Sequence, residues 1–202
     1  MEDYDGQVEE EVSDIVLVDQ ALEGQVGAFD TLVLRYQRRL YSVIYNMTSN
    51  HDDTNDLLME VFHKSYCNLS KYKKNSSFYT WIYRVAVNHT LNFIQKNKKR
   101  RKDMSLNDLS MDDTMEREFA DEGTLTGEKH AELDDLKNKL NECLQKLSEE
   151  HRTVVVLYDI DGMSHGDIAK VLKCSEGTVR SRLHYAHKNL QKLLDGYLRK
   201  EL

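Results

Sequence analysis

Apolar side chains recur at helical spacing through most of this chain, and the places where they stop divide it into parts. From Ala28 to Tyr45, Phe29, Leu32, Val33, Tyr36, Leu40, Val43 and Ile44 fall on one stripe, the pattern of a helix with one buried face. A shorter helix over about 15–23 precedes it and ends near Gly24. Ser49-Asn50-His51-Asp52 interrupts the stripe. Asp52 or Asp53 is then the expected cap of a helix whose apolar groups are Leu57, Leu58, Val61, Phe62 and Tyr66. Asn68 to Ser77 is a polar, basic loop. Ser77 can cap a further helix from Phe78 to about Lys99, with Ile82, Val85, Ala86 and Leu91 available for burial. Between 103 and about 130 periodicity fades into Asp, Ser, Thr, Gly and Met. It resumes with Leu133, Leu136, Leu140, Leu144 and Leu147.

The C-terminal part reads as three further helices. Ser148-Glu149-Glu150 supplies a capping hydroxyl and two carboxylates for a helix carrying Val154, Val155 and Leu157, which Gly162 ends. Ser164-His165-Gly166-Asp167 resembles a capping box, with Asp for the usual Glu, and opens a short helix with Ile168, Val171 and Leu172. After Lys173-Cys174-Ser175 the last helix begins about Glu176, with Val179, Leu183, Ala186, Leu190 and Leu193 as its inner stripe. Its opposite face presents Arg180, Ser181, His184 and Lys188, with Thr178 and Tyr185 beside it. A short helix, a small-residue turn and a second helix with donors in its first turns is the geometry that enters a DNA major groove. The plain alternative is an αα-hairpin with a solvated face.

Composition supports helices throughout. There is no proline, and no glycine between residues 28 and 122, so the tight turns that strands require are scarce. The expected fold class is all-α: two small helical domains joined by a flexible acidic linker, the C-terminal one a helix-turn-helix. The expected boundaries are an acidic, disordered tail at 1–14, a first domain at 15–102, the linker at 103–132 and a second domain at 133–202. Cys67, Cys143 and Cys174 show no C-x-x-C spacing, which argues against a disulfide framework and against a zinc site. The longest apolar runs, such as Val154–Leu157, are far too short to span a bilayer, and no secretory signal is visible. A soluble, cytoplasmic protein without membrane insertion is expected.

The net charge of −7 hides an alternating distribution. Residues 1–34 hold ten acidic groups and no Lys or Arg. Residues 61–102 hold eleven basic groups and no Asp or Glu. Residues 103–135 swing back to −10, from twelve acidic side chains against Arg117 and Lys129, and residues 162–202 return to +4. Local field rather than total charge attracts phosphate, so two basic islands separated by an acidic strip suggest two polyanion-binding modules. The loop Asn68-Leu69-Ser70-Lys71-Tyr72-Lys73-Lys74 sets an aromatic ring among three lysines, the combination that holds unstacked bases and phosphates. Phe78 and Trp81, at helical spacing, read first as core. Lys96 to Lys102 reads as a nonspecific phosphate clamp.

The segment Leu157-x-x-Ile160-Asp161-Gly162-Met163-Ser164-x-x-Asp167-Ile168-Ala169-x-x-Leu172, followed by Gly177-Thr178-Val179-Arg180-Ser181-Arg182-Leu183, resembles the fourth region of extracytoplasmic-function (ECF) sigma factors, sigma-E-like members of the sigma-70 family. Phe78-Tyr79-Thr80-Trp81-Ile82-Tyr83-Arg84-Val85-Ala86-Val87-Asn88 resembles their second region. Asp56-Leu57-Leu58-Met59-Glu60-Val61-Phe62-His63-Lys64-Ser65-Tyr66 resembles the surface that docks on the polymerase clamp. The resemblance spans about 20–102 and 133–195, in the family's order. It implies a bacterial transcription initiation factor that binds core RNA polymerase through the clamp of the beta-prime subunit. Asp56, Leu57, Met59, Glu60, Val61, His63 and Lys64 would make that contact.

The same resemblance gives Asn68, Lys71, Tyr72, Lys73, Lys74, Arg84, Asn88 and Lys96 to the single-stranded minus-ten promoter element, the loop and Asn88 forming a pocket for a flipped base. It gives Thr178, Arg180, Ser181, Arg182, His184, Tyr185 and Lys188 to the double-stranded minus-thirty-five element. It also implies an anti-sigma factor, commonly membrane-anchored, and neither enzymatic activity nor a cofactor. The chain departs from the family pattern in Met59, where glutamine is usual, and in Tyr185 and His187, where arginines are usual. Ser148 and Glu176 stand in place of prolines.

Two other readings compete. His51, Asp52, Asp53, Asp56, Glu60 and His63 are metal-ligand types, and three of them share one helical face. Bundle carboxylate sites, however, need a Glu-x-x-His pair on each of two helices, and this sequence has one. The Walker loop, G-x-G-x-x-G and G-x-S-x-G patterns of enzymes do not occur. The second alternative is a stand-alone helix-turn-helix regulator, which would have no need of the Asn68–Asn88 segment.

Overall fold

The computed structural model describes residues 12–105 and 127–198. Every regular element among them is helical, in eight α-helices with two short irregular turns of helix. The first group comprises α1 (Asp14–Leu22), α2 (Val26–Thr48), α3 (His51–Cys67), a 3₁₀ turn at Leu69–Lys71 and α4 (Phe78–Ser105). The second comprises α5 (Gly127–Gln145), α6 (Glu149–Val155), a wide π turn at Val156–Ile160, α7 (His165–Leu172) and α8 (Glu176–Leu198).

The stripe read from the sequence of α2 faces inward: Phe29, Leu32, Tyr36, Leu40, Val43 and Ile44 are buried, against Leu57 and Val61 of α3 and Phe78, Ile82 and Ala86 of α4. Ser49 ends α2 in the left-handed region (φ 58°), its N–H donating to Tyr45 O at 2.7 Å. The cap of α3 is Asn50, whose side chain accepts from the Asp53 N–H at 3.1 Å. Asp52 and Asp53, expected as caps, lie inside the first turn, where the positive end of the helix dipole favours them. Ser77 does cap α4, accepting from the Thr80 N–H at 3.1 Å.

α4 continues past Lys99 to Ser105, because the basic run contains no helix breaker. α5 begins at Gly127, so helix enters the expected linker from both sides. The rest of that linker, and the tail before residue 12, lie outside the described residues.

In the second group Leu144, Leu147, Val154–Leu157, Ile168, Val171, Val179, Leu183 and Ala186 form the buried centre. The Ser148 hydroxyl accepts from the His151 N–H, and the Ser164 hydroxyl from the Asp167 N–H at 3.1 Å. The capping box is incomplete: the Asp167 carboxylate accepts from the Ser164 hydroxyl at 2.7 Å. The π turn closes with the Asp161 N–H on Val156 O at 3.0 Å, and Gly162 takes the positive φ of 76° that follows.

The two groups pack against each other, α7 on α4, and α5, α6 and the π turn on α2. Arg152 ties them. Its side chain is 6% exposed, and its five N–H groups go to Leu144 O (2.9 Å), Gln145 O (2.7 Å), Gln145 Oε1 (2.6 Å) and Leu147 O (3.3 Å) on its own side and Met47 O (2.8 Å) across the seam. Among the described residues no helix is long and apolar enough to cross a membrane.

Candidate nucleic-acid and polymerase interfaces

The helix-turn-helix is built by α7, the link Lys173–Ser175 and α8. Lys173 takes a left-handed conformation (φ 53°), which turns the chain sharply, and the Cys174 N–H closes on Ala169 O at 3.0 Å. Ser175 caps α8 by accepting from the Thr178 N–H at 3.1 Å. With Val179, Leu183, Ala186 and Leu190 inward, the helical period puts Thr178, Ser181, Tyr185 and Lys188 along the outer line. His184 and Arg180 flank that line on one side. Ser181, His184, Tyr185, Lys188 and Arg180 are exposed, with Tyr185 at 57%. Arg180 is held over the first turn by Glu176 at 3.1 Å.

Arg182 is the exception. It lies on the other flank and pairs with Glu150 of α6 at 2.8 Å, so this residue, which the resemblance assigns to the minus-thirty-five element, stands apart from the outer row. His187, where the family pattern has arginine, bridges to Asp159 in the π turn at 2.7 Å.

On α3, Asp56, Met59, Glu60, His63 and Lys64 share an exposed face, with Met59 68% exposed. Leu57 and Val61 turn inward and are buried at 2% and 0%. They support this face from behind and do not belong to it, a correction that follows from the helical period. Glu60 is clasped by His89 of α4 at 2.7 Å and by Lys64 at 3.4 Å. The hydrogen bond from His89 is the main reason its carboxyl titrates below the usual range, with Lys64 adding to it.

The loop after α3 is tethered at several points. Lys71 donates to Asn68 Oδ1 at 2.7 Å, Asn68 donates to Lys64 O at 2.8 Å, and Lys74 reaches Asp19 of α1 at 2.5 Å. Lys73, Asn88 and Lys96 are exposed. Tyr72 departs from expectation. Its ring is 6% exposed, packs edge-on to Phe78 and lies 5.4 Å from Trp81, and its hydroxyl donates to Ser76 O at 2.5 Å. The ring closes the core beneath the loop and offers no open face to a base. Trp81 is partly buried beside it, as the spacing of the aromatics predicts.

Sequence reasoning missed a cluster at the seam between the groups. Tyr79 and Tyr83 of α4, their rings 4.5 Å apart, lie beside Arg39 of α2, whose guanidinium is 5.2 Å from the Tyr79 centroid and 5.9 Å from that of Tyr83. The Asp161 carboxylate, 4% exposed, accepts from Arg39 Nε (3.2 Å) and Nη2 (3.0 Å), from the Tyr79 hydroxyl (3.1 Å) and from the Tyr83 hydroxyl (2.8 Å). Arg39 Nη2 also donates to Asp161 O at 3.0 Å. Burial first, then the neighbouring carboxylate, pushes the Tyr79 phenol up to about 12 and that of Tyr83 higher still, so both remain donors.

Beside this cluster Arg84 Nη2 donates to Lys170 O of α7 at 2.9 Å, while its Nε is buried without a partner among the described residues. No three His, Cys, Asp or Glu groups among those residues gather as a metal site.

Residues 32–100 match the family Sigma-70 region 2, and residues 137–190 match Sigma-70, region 4. The chain is 32% identical to the RNA polymerase sigma-H factor of Pseudomonas aeruginosa over 91% of its own length and 94% of that protein's. It is 29% identical to the ECF RNA polymerase sigma-E factor of Escherichia coli over 95% of its length and 99% of that protein's. Among solved structures, it resembles CnrH in complex with the cytosolic domain of CnrY, with a TM-score of 0.67 at 24% identity, covering 91% of this chain and 97% of that one. It also resembles the sigma factor RpoE of Bartonella quintana in complex with the anti-sigma factor NepR, with a TM-score of 0.64 at 23% identity, covering 84% and 98%. Two helical modules in this order, the second a helix-turn-helix, together with these matches place the chain among the ECF sigma factors of the sigma-70 family.

Proposed function

We propose that this protein joins core RNA polymerase in the bacterial cytoplasm and directs it to promoters, residues 15–102 acting at the minus-ten element and residues 133–202 at the minus-thirty-five element. The outer row on α8 carries the reading: half-buried Thr178 and exposed Ser181, Tyr185 and Lys188 in line, with exposed Arg180 and His184 alongside, on a helix capped at its N-terminus by Ser175. Helices with donors in their first turns read base edges from the major groove, and an arginine bidentate to guanine contributes ~1–3 kcal/mol of discrimination. Arg182, tied to Glu150, supports the fold of this module rather than the reading.

The first module would hold the opened strand with Asn68, Lys71, Lys73 and Lys74 in the loop and Arg84, Asn88 and Lys96 on α4. Tyr72 acts as the floor of that loop. The exposed α3 face of Asp56, Met59, Glu60, His63 and Lys64 would dock on the clamp of the beta-prime subunit, with the exposed apolar Met59 along one edge. The solved relatives were captured with CnrY and with the anti-sigma factor NepR, which supports an anti-sigma partner here as well.

Reconstitution tests the reading. The purified chain, core polymerase and a random promoter library should yield specific transcripts that depend on the added chain. Sequence-specific duplex binding without polymerase, and no transcripts with it, would instead favour the stand-alone regulator.

A further inference from the structure

We propose that Arg39, Tyr79 and Tyr83 form an anion-binding cup for a backbone phosphate of single-stranded promoter DNA, and that in the closed chain Asp161 plugs it. The proposal rests on the reading that the first module holds single-stranded promoter DNA.

The geometry of the cup is that of an oxyanion receptor. A guanidinium fork and two phenols converge on two oxygens, each taking one bond from the fork and one from a phenol. A phosphodiester presents the same feature, two non-bridging oxygens sharing one negative charge. The rings of Tyr79 and Tyr83 wall the site and carry the guanidinium on their faces, the mixed aromatic and cationic surface that single strands select.

The cup belongs wholly to α2 and α4 of the first module, whereas the group that fills it comes from the second. None of the hydrogen bonds found for the Asp161 carboxylate serves the second module's own fold. The wide turn Val156–Ile160 and the positive φ of Gly162 place Asp161 at the seam.

The neighbouring contact points the same way. Arg84, next to Tyr83 on α4, spends one donor on the carbonyl of Lys170 and leaves Nε buried and unpartnered among the described residues. A cation so placed gains partners when the modules part and a strand takes the place of α7. The closed chain therefore covers the cup and Arg84 while Arg180, Ser181, His184, Tyr185 and Lys188 on α8 stay exposed. Self-closure would withhold the single-strand site of a free chain without hiding its duplex-reading helix.

The test uses the full chain in four forms: wild type, Asp161→Ala, Arg39→Ala and the double variant. Asp161→Ser is a second plug variant, in case alanine disturbs the turn. Small-angle X-ray scattering reports module separation, and fluorescence anisotropy reports affinity for a labelled random-sequence single-stranded DNA. Asp161→Ala should expand the chain and bind the strand on the order of tenfold tighter, the factor by which a closed state populated about ten to one hides a site. Adding Arg39→Ala should abolish the gain while the chain stays expanded.

Unchanged dimensions and affinity in both Asp161 variants would overturn the proposal. Expansion without tighter binding, or a gain that survives loss of Arg39, would overturn it equally. Failure of the underlying reading is distinguishable, because it appears as absent transcripts with core polymerase and wild-type chain.

Discussion

Arg39 and Asp161, 122 positions apart, meet as a two-pronged ion pair whose carboxylate is 4% exposed and whose arginine side chain is 49% exposed. With about half of the arginine side chain facing solvent, the pair is screened and belongs near the upper end of surface pairs rather than among buried ones. A double-mutant cycle of Arg39→Ala and Asp161→Ala in urea should give a coupling of about 1 kcal/mol. A coupling indistinguishable from zero would mean that the two phenols alone hold Asp161.

Arg152 contrasts with it. This guanidinium is buried with no carboxylate in its hydrogen bonds, and desolvation lowers its pKa, with Glu149 opposing. Its partners are chiefly carbonyls at the C-terminal ends of α5 and α2, where a cation also complements the helix dipole. Arg152→Met fills much of the volume but orphans several carbonyl groups, and should cost roughly 3 kcal/mol in chemical denaturation. Arg152→Lys should recover only part of this, since an ammonium cannot reach as many acceptors.

Glu149 at the start of α6 accepts from Lys98 of α4 at 2.6 Å, and this hydrogen bond is the main cause of its lowered pKa. A carboxylate depressed in the folded state contributes stability that is complete above its unfolded value and is lost as pH falls through the folded value. Thermal unfolding should therefore show wild type losing its advantage over Glu149→Gln below about pH 4. The difference should be flat between about pH 6 and 8, where Glu149 stays ionised. A difference that instead grew on acidification would contradict the assignment.

On the proposed reading, Arg180 and Lys188 would make two kinds of DNA contact from one helix. Arg180→Ala should cost ~1–3 kcal/mol of discrimination at one promoter position, measured by binding or transcription across single-base variants. Lys188→Ala should weaken all sequences alike and reduce the salt slope by about one. Equal weakening at every sequence by Arg180→Ala would make it a phosphate contact too.

Much of this structure was legible in advance because helical periodicity is local. The stripe of α2, the caps Ser77, Ser148 and Ser164 and the donor row of α8 all follow from residues within a few positions of one another. Leu57 and Val61 carried the same periodic signal, yet they sit inside a motif read for its surface, and the core has the prior claim on them. Tyr72 was misread because a tyrosine among lysines has the composition of a stacking platform. Only the arrangement of Phe78 and Trp81 reveals that its ring closes the core. Arg39, Tyr79, Tyr83 and Asp161 were invisible as a set: their meeting requires the π turn and the packing of α7 on α4, neither of which leaves a periodic trace.

The central claim is that this chain opens promoter DNA as part of polymerase. Permanganate footprinting of a promoter recovered from the library tests it most directly, because the reagent attacks unpaired thymines. Thymines of the minus-ten element should become reactive when chain and core polymerase are both present, and with neither alone. Protection of the upstream duplex without any reactive thymine would contradict the claim and leave a DNA-binding protein that does not initiate.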